Sequence, residues 1–352
     1  MIILRSIKIG NRIISKDSPS FIIAEISANH NHNIEIAKKM IREAKRIGAD
    51  AIKLQTYTAD TITLDCDNEY FRINQGTLWD GTTLYKLYNE AYTPWEWHKE
   101  LMEVAKEEDI ICFSSPFDKT AVDFLEDIDV PAYKVASFEI NDLPLIKYIA
   151  EKGKPVIIST GIATIQEIYE AVEICKSVGN DQIILLKCTS SYPAKLEDMN
   201  LKTIPNMRDT FDVITGLSDH TLGNIVPIGA IALDAKVIEK HFILDRNLGG
   251  PDAAFSLNVD EFEKMILEIR SIEKALGKVN YSLNERTLKN REFSRSLFIS
   301  NDIKKGDKFT EENVKSVRPG FGLEPKHIGK ILGKECTKDL KKGTPLKWNY
   351  IK

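Results

Sequence analysis

The sequence predicts a (β/α)8 barrel followed by a small, mostly β domain, and three observations carry that expectation. From Phe21 onward, eight short β-branched runs alternate with amphipathic stretches of helical period. The runs show little polar alternation, as expected of parallel strands covered on both faces. After Gly277 the texture changes to a polar stretch and then short β-like pieces. Eight units over about 250 residues match a closed barrel. No GxGxxG follows the first run, which weakens an open dinucleotide-binding sheet.

The first unit pairs FIIAEI (21–26) with the helical pattern IEIAKKMIREAKRIG (34–48). The second run, AIKLQT (51–56), is followed by more than thirty residues before a helix near Pro94. Connections that long are usually functional lids, and this one is rich in Trp, Tyr and Asn, residue types that hold sugars. The runs IICFSS (110–115), AYKVAS (132–137), VIISTG (156–161) and IILLKC (183–188) come next, with helical patterns LPLIKYIAEKG (143–153) and IQEIYEAVEICKSVG (165–179) among them. The runs DVITGL (212–217) and KVIEKHF (236–242) complete the set, and VDEFEKMILEIRSIEKALG (259–277) closes it. The domain reading is therefore a barrel over 1–276, a polar linker with some helix over 277–293, and a β module over 294–352. Two half-similar turns, IKKGDKFT and LKKGTPLKW, mark that module.

Composition is that of an ordinary globular chain, with 43% hydrophobic and 28% charged residues. The five cysteines are scattered without a CxxC pair, which argues against a disulfide framework or a structural zinc site. The N-terminal stretch MIILRSIKIGNRIISK alternates apolar and polar residues, unlike a signal peptide. No run reaches the length of a membrane span, so a cytoplasmic protein is expected. A net charge of −4 makes nucleic acid a poor partner. Charge is unevenly spread: residues 277–352 carry 18 Lys and Arg against 9 Asp and Glu, leaving −13 on residues 1–276. A basic tail domain could dock on an acidic body, its own or that of a second copy, or the two surfaces could simply be solvated separately.

In a barrel the C-terminal strand ends build the active site. Those ends deliver Glu25, Lys53 and Gln55, Ser114 and Ser115, Lys134 and Ser137, Ser159 and Thr160, the CTSSYP turn, Ser218–Asp219–His220, and His241. Any single serine could be a helix N-cap, but the whole set exceeds what capping needs. Lys53 and Lys134 sit inside apolar runs, where an unpaired ammonium is costly. A buried salt bridge is one explanation. A bound anion fits better, because Ser115, Ser137 and Ser159 add hydroxyls and helix N-termini add backbone N–H groups. Either of His220 and His241 alone would be an ordinary structural histidine. As neighbours at one mouth beside an anion site they point to a divalent metal with open positions, with Asp219 as the candidate to orient them.

The blocks AEISANHNHNIEIAKKMI, GADAIKLQT, YKVASFEI, ISTG, CTSSYP, GLSDHT and EKHFILDRNLGGPDAAFS resemble, in order, the sialic acid synthase family. The likeness spans about residues 20–350, and the C-terminal module with RPGFGLEP resembles the antifreeze-like (SAF) domain of those enzymes. Within the family, TLWDGTTLYKLYNEAYTPWEW and the SANHNHN variant look most like the pseudaminic acid synthase branch. The resemblance implies condensation of phosphoenolpyruvate with the open-chain aldehyde of an N-acetylated deoxyhexose, water adding and phosphate leaving. It implies that His220 and His241 hold the metal, commonly Mn2+, with Mg2+ or Co2+ as alternatives. By the same likeness Lys53, Ser115, Lys134, Ser137, Ser159 and Ser218 bind phosphoenolpyruvate. Gln55, Tyr192 and Asp252 hold the sugar, with Asn74 a looser match, and Glu25 either holds the sugar or acts in catalysis. Arg318 would reach into the other subunit's site in a homodimer with swapped C-terminal domains. Lys187 and Ser190 are left without a role.

The rivals are a sialic or legionaminic acid synthase using another N-acetylated hexose, a metal-dependent aldolase using pyruvate, and a non-catalytic carbohydrate- or ice-binding protein. Phosphate release separates the synthases from the aldolase. Binding alone has no need for Lys53, Lys134 and the histidine pair.

Overall fold

The computed structural model describes residues 6–74 and 76–352. The first five residues of the alternating N-terminal stretch, and Gln75 of the long connection, lie outside the described residues. The chain divides into two compact units, Met1–Gly277 and Lys278–Lys352.

The first unit opens with an antiparallel hairpin of β1 (Ile7–Ile9) and β2 (Arg12–Ile14), turned at Gly10 with φ +56°. Its alternation buries Ile7, Ile9 and Ile14 in one cluster with Phe21 and Ile111, so the hairpin plugs the N-terminal end of the barrel. Eight parallel strands follow: β3 (Phe21–Glu25), β4 (Ala51–Thr56), β5 (Ile111–Pro116), β6 (Tyr133–Val135), β7 (Val156–Ser159), β8 (Ile183–Cys188), β9 (Ile214–Asp219) and β10 (Val237–His241). They form one closed barrel, in which β10 hydrogen-bonds β3. The runs read from sequence thus all become strands, several shifted by one or two residues. The greatest shortening is at AYKVAS, where three of six residues form the strand, which stops at Val135, and Ser137 begins a short 3-10 turn.

Local signals set the helix starts. Asn33 caps the helix Ile34–Arg46 by accepting from Glu35 and Ile36 N–H groups. Thr164 with Glu167, and Asn258 with Glu261, form capping boxes at Ile165–Ser177 and Val259–Leu276. The long connection differs from a plain loop, since it contains helices Ala59–Ile62 and Leu84–Ala91 and a bridge between Arg72 and Thr83.

Uniformly buried strands still alternate. Ile22, Ala24, Ile52, Leu54, Leu217 and Ile238 pack outward against helices. The intervening residues face the barrel axis, and register aligns the polar ones: His241 opposite Glu25, Glu25 opposite Lys53, Gln55 opposite Ser115, and Cys188 opposite Ser218. Among the described residues, no helix is long and apolar enough to cross a membrane.

In the second unit, helix Glu285–Asn290 lies within the polar stretch, and β11 (Ser296–Ile299) pairs antiparallel with β12 (Val314–Val317). The two half-similar turns cap each other. Asp302 accepts from the Lys342 N–H (2.9 Å) and pairs with Lys341 (2.7 Å), while Asp339 accepts from the Lys305 N–H (2.9 Å) and pairs with Lys304 (3.1 Å).

Candidate active site

The centre of the barrel mouth is a buried charge cluster. Lys53 lies 2.5 Å from Glu25 and 3.0 Å from Glu239, and Lys134 lies 3.9 Å from Glu239. The two lysines are therefore ion-paired, not waiting for an anion alone, and the salt bridge that sequence reasoning ranked second is present. Its partner Glu239 was missed. It stands two residues before His241 on the same strand, so period-two alternation places both on the inner face, and that signal was legible.

Burial works against ionisation of Glu239, yet Lys134 and Lys53 together hold its carboxyl down to about 2. Burial pulls the Lys53 ammonium down to about 8, with Glu239 opposing. A lowered lysine costs the fold stability below pH about 8, a cost that fades as pH rises toward its ordinary value. For ligand binding the sign is opposite, because the cation disappears above that pH. The kcat/KM for an anionic substrate held by Lys53 should therefore fall above pH about 8. A flat profile to pH 9.5 would remove Lys53 from the anion site.

Hydroxyls ring this cluster. The Ser115 and Ser159 hydroxyls are buried and lack a hydrogen-bond partner among the described residues. The Ser218 hydroxyl donates to Glu239 (2.9 Å), and Ser190 donates to Ser137 (2.9 Å). A Cβ on Gly161 would collide with the Ser190 and Ser137 hydroxyls, so glycine keeps that cradle open. Ser190 thus joins the hydroxyl ring. Lys187 instead donates to the Cys188 carbonyl (2.5 Å) and the Thr189 hydroxyl (3.1 Å), fastening the turn after β8. Glu139, also missed, sits beyond β6 with one carboxyl oxygen buried and unpartnered. Burial lifts it to about 7 although Lys134 opposes.

The rings of His220 and His241 stand 5.3 Å apart. His220 Nδ1 lies 3.1 Å from the Thr189 carbonyl, which can only accept, so that nitrogen carries a proton; burial works against charge on the ring, yet Cys188, the Thr189 carbonyl and Asp219 raise the imidazole above its usual range. His241 Nδ1 is buried without a hydrogen-bond partner among the described residues, 3.8 Å from an Asp252 oxygen. Burial, then His220 and Lys53, push the His241 imidazole well below its usual range, leaving it neutral. The unpartnered nitrogen of His241, and His220 Nε2 once its proton is displaced, suit a divalent cation. Among the described residues no third His, Cys, Asp or Glu completes a ligand group with them, so such a site would stay open to substrate oxygens.

Asp219 does not orient either histidine. It lies one residue out of phase, on the helix-facing side of β9, where it pairs with the fully buried Lys240 and accepts from Thr221.

Of the remaining sequence-derived residues, Gln55, Asp252 and Tyr192 line one wall of the mouth, and the structure does not bring Asn74 or Arg318 to them. Gln55 donates to the Ser27 hydroxyl (3.0 Å), which donates to Asp252, while the Ser27 N–H donates to Glu25 (2.8 Å). Ser27, unassigned from sequence, therefore joins three of the candidates. The Tyr192 ring contacts His220 (4.4 Å) and Phe255 (5.2 Å). Trp79 of the long connection covers Tyr192 (5.6 Å) and donates its Nε1–H to the Pro251 carbonyl (3.1 Å). Asn74 is exposed in that connection. Arg318 belongs to the second unit, exposed on a cleft of about 430 Å3 shared with Lys315 and Lys342.

Residues 40–281 match the NeuB family and residues 294–352 match the SAF domain. A pseudaminic acid synthase of Campylobacter jejuni is 52% identical over 340 residues, covering 97% of this chain and 98% of that protein. A pseudaminic acid synthase of Helicobacter pylori is 48% identical over 329 residues, covering 93% and 96%. Among solved structures, the N-acetylneuraminic acid (sialic acid) synthetase of Leptospira borgpetersenii is 32% identical, with a TM-score of 0.73 over 81% of this chain and 95% of that one. A barrel lined by paired lysines, carboxylates, hydroxyls and two histidines, matched over nearly its whole length by such relatives, belongs to the NeuB family and carries a SAF domain at its C-terminal end.

Proposed function

We propose that the chain is a pseudaminic acid synthase, condensing phosphoenolpyruvate with open-chain 2,4-diacetamido-2,4,6-trideoxy-L-altrose and water to give pseudaminate and inorganic phosphate. The observation that carries this reading is the pair of buried, unpartnered hydroxyls, Ser115 and Ser159, at the ends of strands in the barrel whose interior holds Lys53 and Lys134. Such a cradle suits a small trianion. The names of the two bacterial relatives give the product, pseudaminic acid, and the trideoxy acceptor is the sugar that product requires.

His220 and His241 would hold a divalent metal, Mn2+ first and Mg2+ or Co2+ as alternatives, which supplies Lewis-acid polarisation of the acceptor aldehyde. Lys53, Lys134 and the serine ring bind and orient the enol phosphate, fixing C3 toward the aldehyde carbon. Positive charge then develops at C2, and the Glu25 carboxylate, fixed by Lys53 and the Ser27 N–H, stabilises it and orients the attacking water. Gln55, Ser27 and Asp252 form a hydrogen-bonding edge for the sugar, with Tyr192 against its far side and Asn74 available from the lid. In a homodimer with swapped C-terminal domains, Arg318 would complete the partner's site.

Phosphate release with Mn2+ tests the reading. Release is expected with the trideoxy sugar and not with N-acetylmannosamine. Because water adds at carbon, 18O placed in the bridging position should leave in phosphate, and its retention in the sugar acid would refute the scheme. Release with N-acetylmannosamine alone would move the chain to the sialic branch.

A further inference from the structure

We propose that Trp79 is a specificity residue that reads the deoxygenated C6 end of the acceptor. The inference rests on the acceptor assigned above and deepens it. The Trp79 ring lies 5.6 Å from Tyr192, whose ring lies 4.4 Å from His220, so Trp79 stands within about 10 Å of His220. An extended six-carbon chain advances about 6 Å from C1 to C6 at ordinary carbon–carbon spacing. An acceptor whose aldehyde carbon lies near the histidines is long enough for C6 to reach the Trp79–Tyr192 pair.

The chemistry of that wall is one-sided. Indole has a single polar atom, and in Trp79 it is committed to the Pro251 carbonyl at 3.1 Å. What Trp79 offers to a ligand is therefore ring surface alone. A methyl group gains contact there, whereas a C6 hydroxyl loses water and finds no partner in Trp79. The Pro251 bond also ties the wall to the turn that carries Asp252. One hydrogen bond thus sets the distance between the apolar end of the pocket and its polar edge.

Steady-state kinetics of the full-length protein with Mn2+ test this, comparing the 6-deoxy acceptor with its 6-hydroxy counterpart, 2,4-diacetamido-2,4-dideoxy-L-altrose. Trp79→Ala should raise the KM for the deoxy sugar about 10-fold or more and shrink the deoxy-over-hydroxy preference by a similar factor, a methyl-sized effect. The KM for phosphoenolpyruvate should stay within twofold. Trp79→Phe keeps an apolar ring and should keep most of the preference. A lid residue with only a structural role would change both acceptors equally, and that result overturns the assignment. Unchanged KM values in a folded Trp79→Ala protein overturn it too, while leaving the synthase reading intact. Wild-type turnover of N-acetylmannosamine alone overturns both.

Discussion

Glu239→Gln should lower the stability of the barrel by roughly 3–5 kcal/mol, the usual cost of removing one partner from a buried ion pair. For a unit of this size that is a fall in Tm on the order of 10 °C. Glu239 is 4% exposed and serves both Lys53 and Lys134, so its loss leaves Lys53 paired with Glu25 alone and removes the carboxylate 3.9 Å from Lys134. Glutamine keeps the shape and can still accept from Ser218, which isolates the charge from the packing. Thermal unfolding with and without phosphoenolpyruvate reads the effect. The ligand should raise the Tm of the variant more than that of the wild type, because a bound anion replaces part of the missing charge. A variant within 2 °C of wild type would show that the lysines do not depend on Glu239.

His241→Ala should abolish tight Mn2+ binding, weakening it by more than the ~100-fold typical of an outer hydrogen-bond partner. Turnover should fall by roughly three orders of magnitude, since polarising a carbonyl through a metal supplies several kcal/mol. The reason is local: His241 Nδ1 is buried, neutral and without a hydrogen-bond partner. His220→Ala should act in the same direction, with the Thr189 carbonyl left unpartnered as well. Electron paramagnetic resonance of free Mn2+ measures the binding directly, and circular dichroism verifies the fold. Unaltered Mn2+ affinity in both variants would remove the metal from this pair.

Much of this was present in the chain. The eight runs, their burial on both faces and the change of texture after Gly277 were enough for the barrel and its tail, because period and composition are local properties. The mouth residues followed from a rule of barrel geometry, and ordered blocks such as CTSSYP and GLSDHT gave the family resemblance.

The misreadings share one cause. Asp219 was assigned to the histidines because it adjoins His220, yet a strand turns successive side chains to opposite faces, and Asp219 meets Lys240 outside the barrel. For Lys53 and Lys134 the sequence ranks a bound anion above a buried salt bridge, because the counter-charge Glu239 arrives from β10, more than a hundred residues away along the chain but within 4 Å in space. Trp79, Tyr192 and Pro251 come from three separate connections, and nothing local joins them. The sequence by itself determined which elements form and which residues reach the mouth, since each depends on neighbours a few positions away. Only the tertiary structure decided which charges neutralise each other, which hydroxyls stay unpartnered and which ring covers the site, because barrel closure sets those distances.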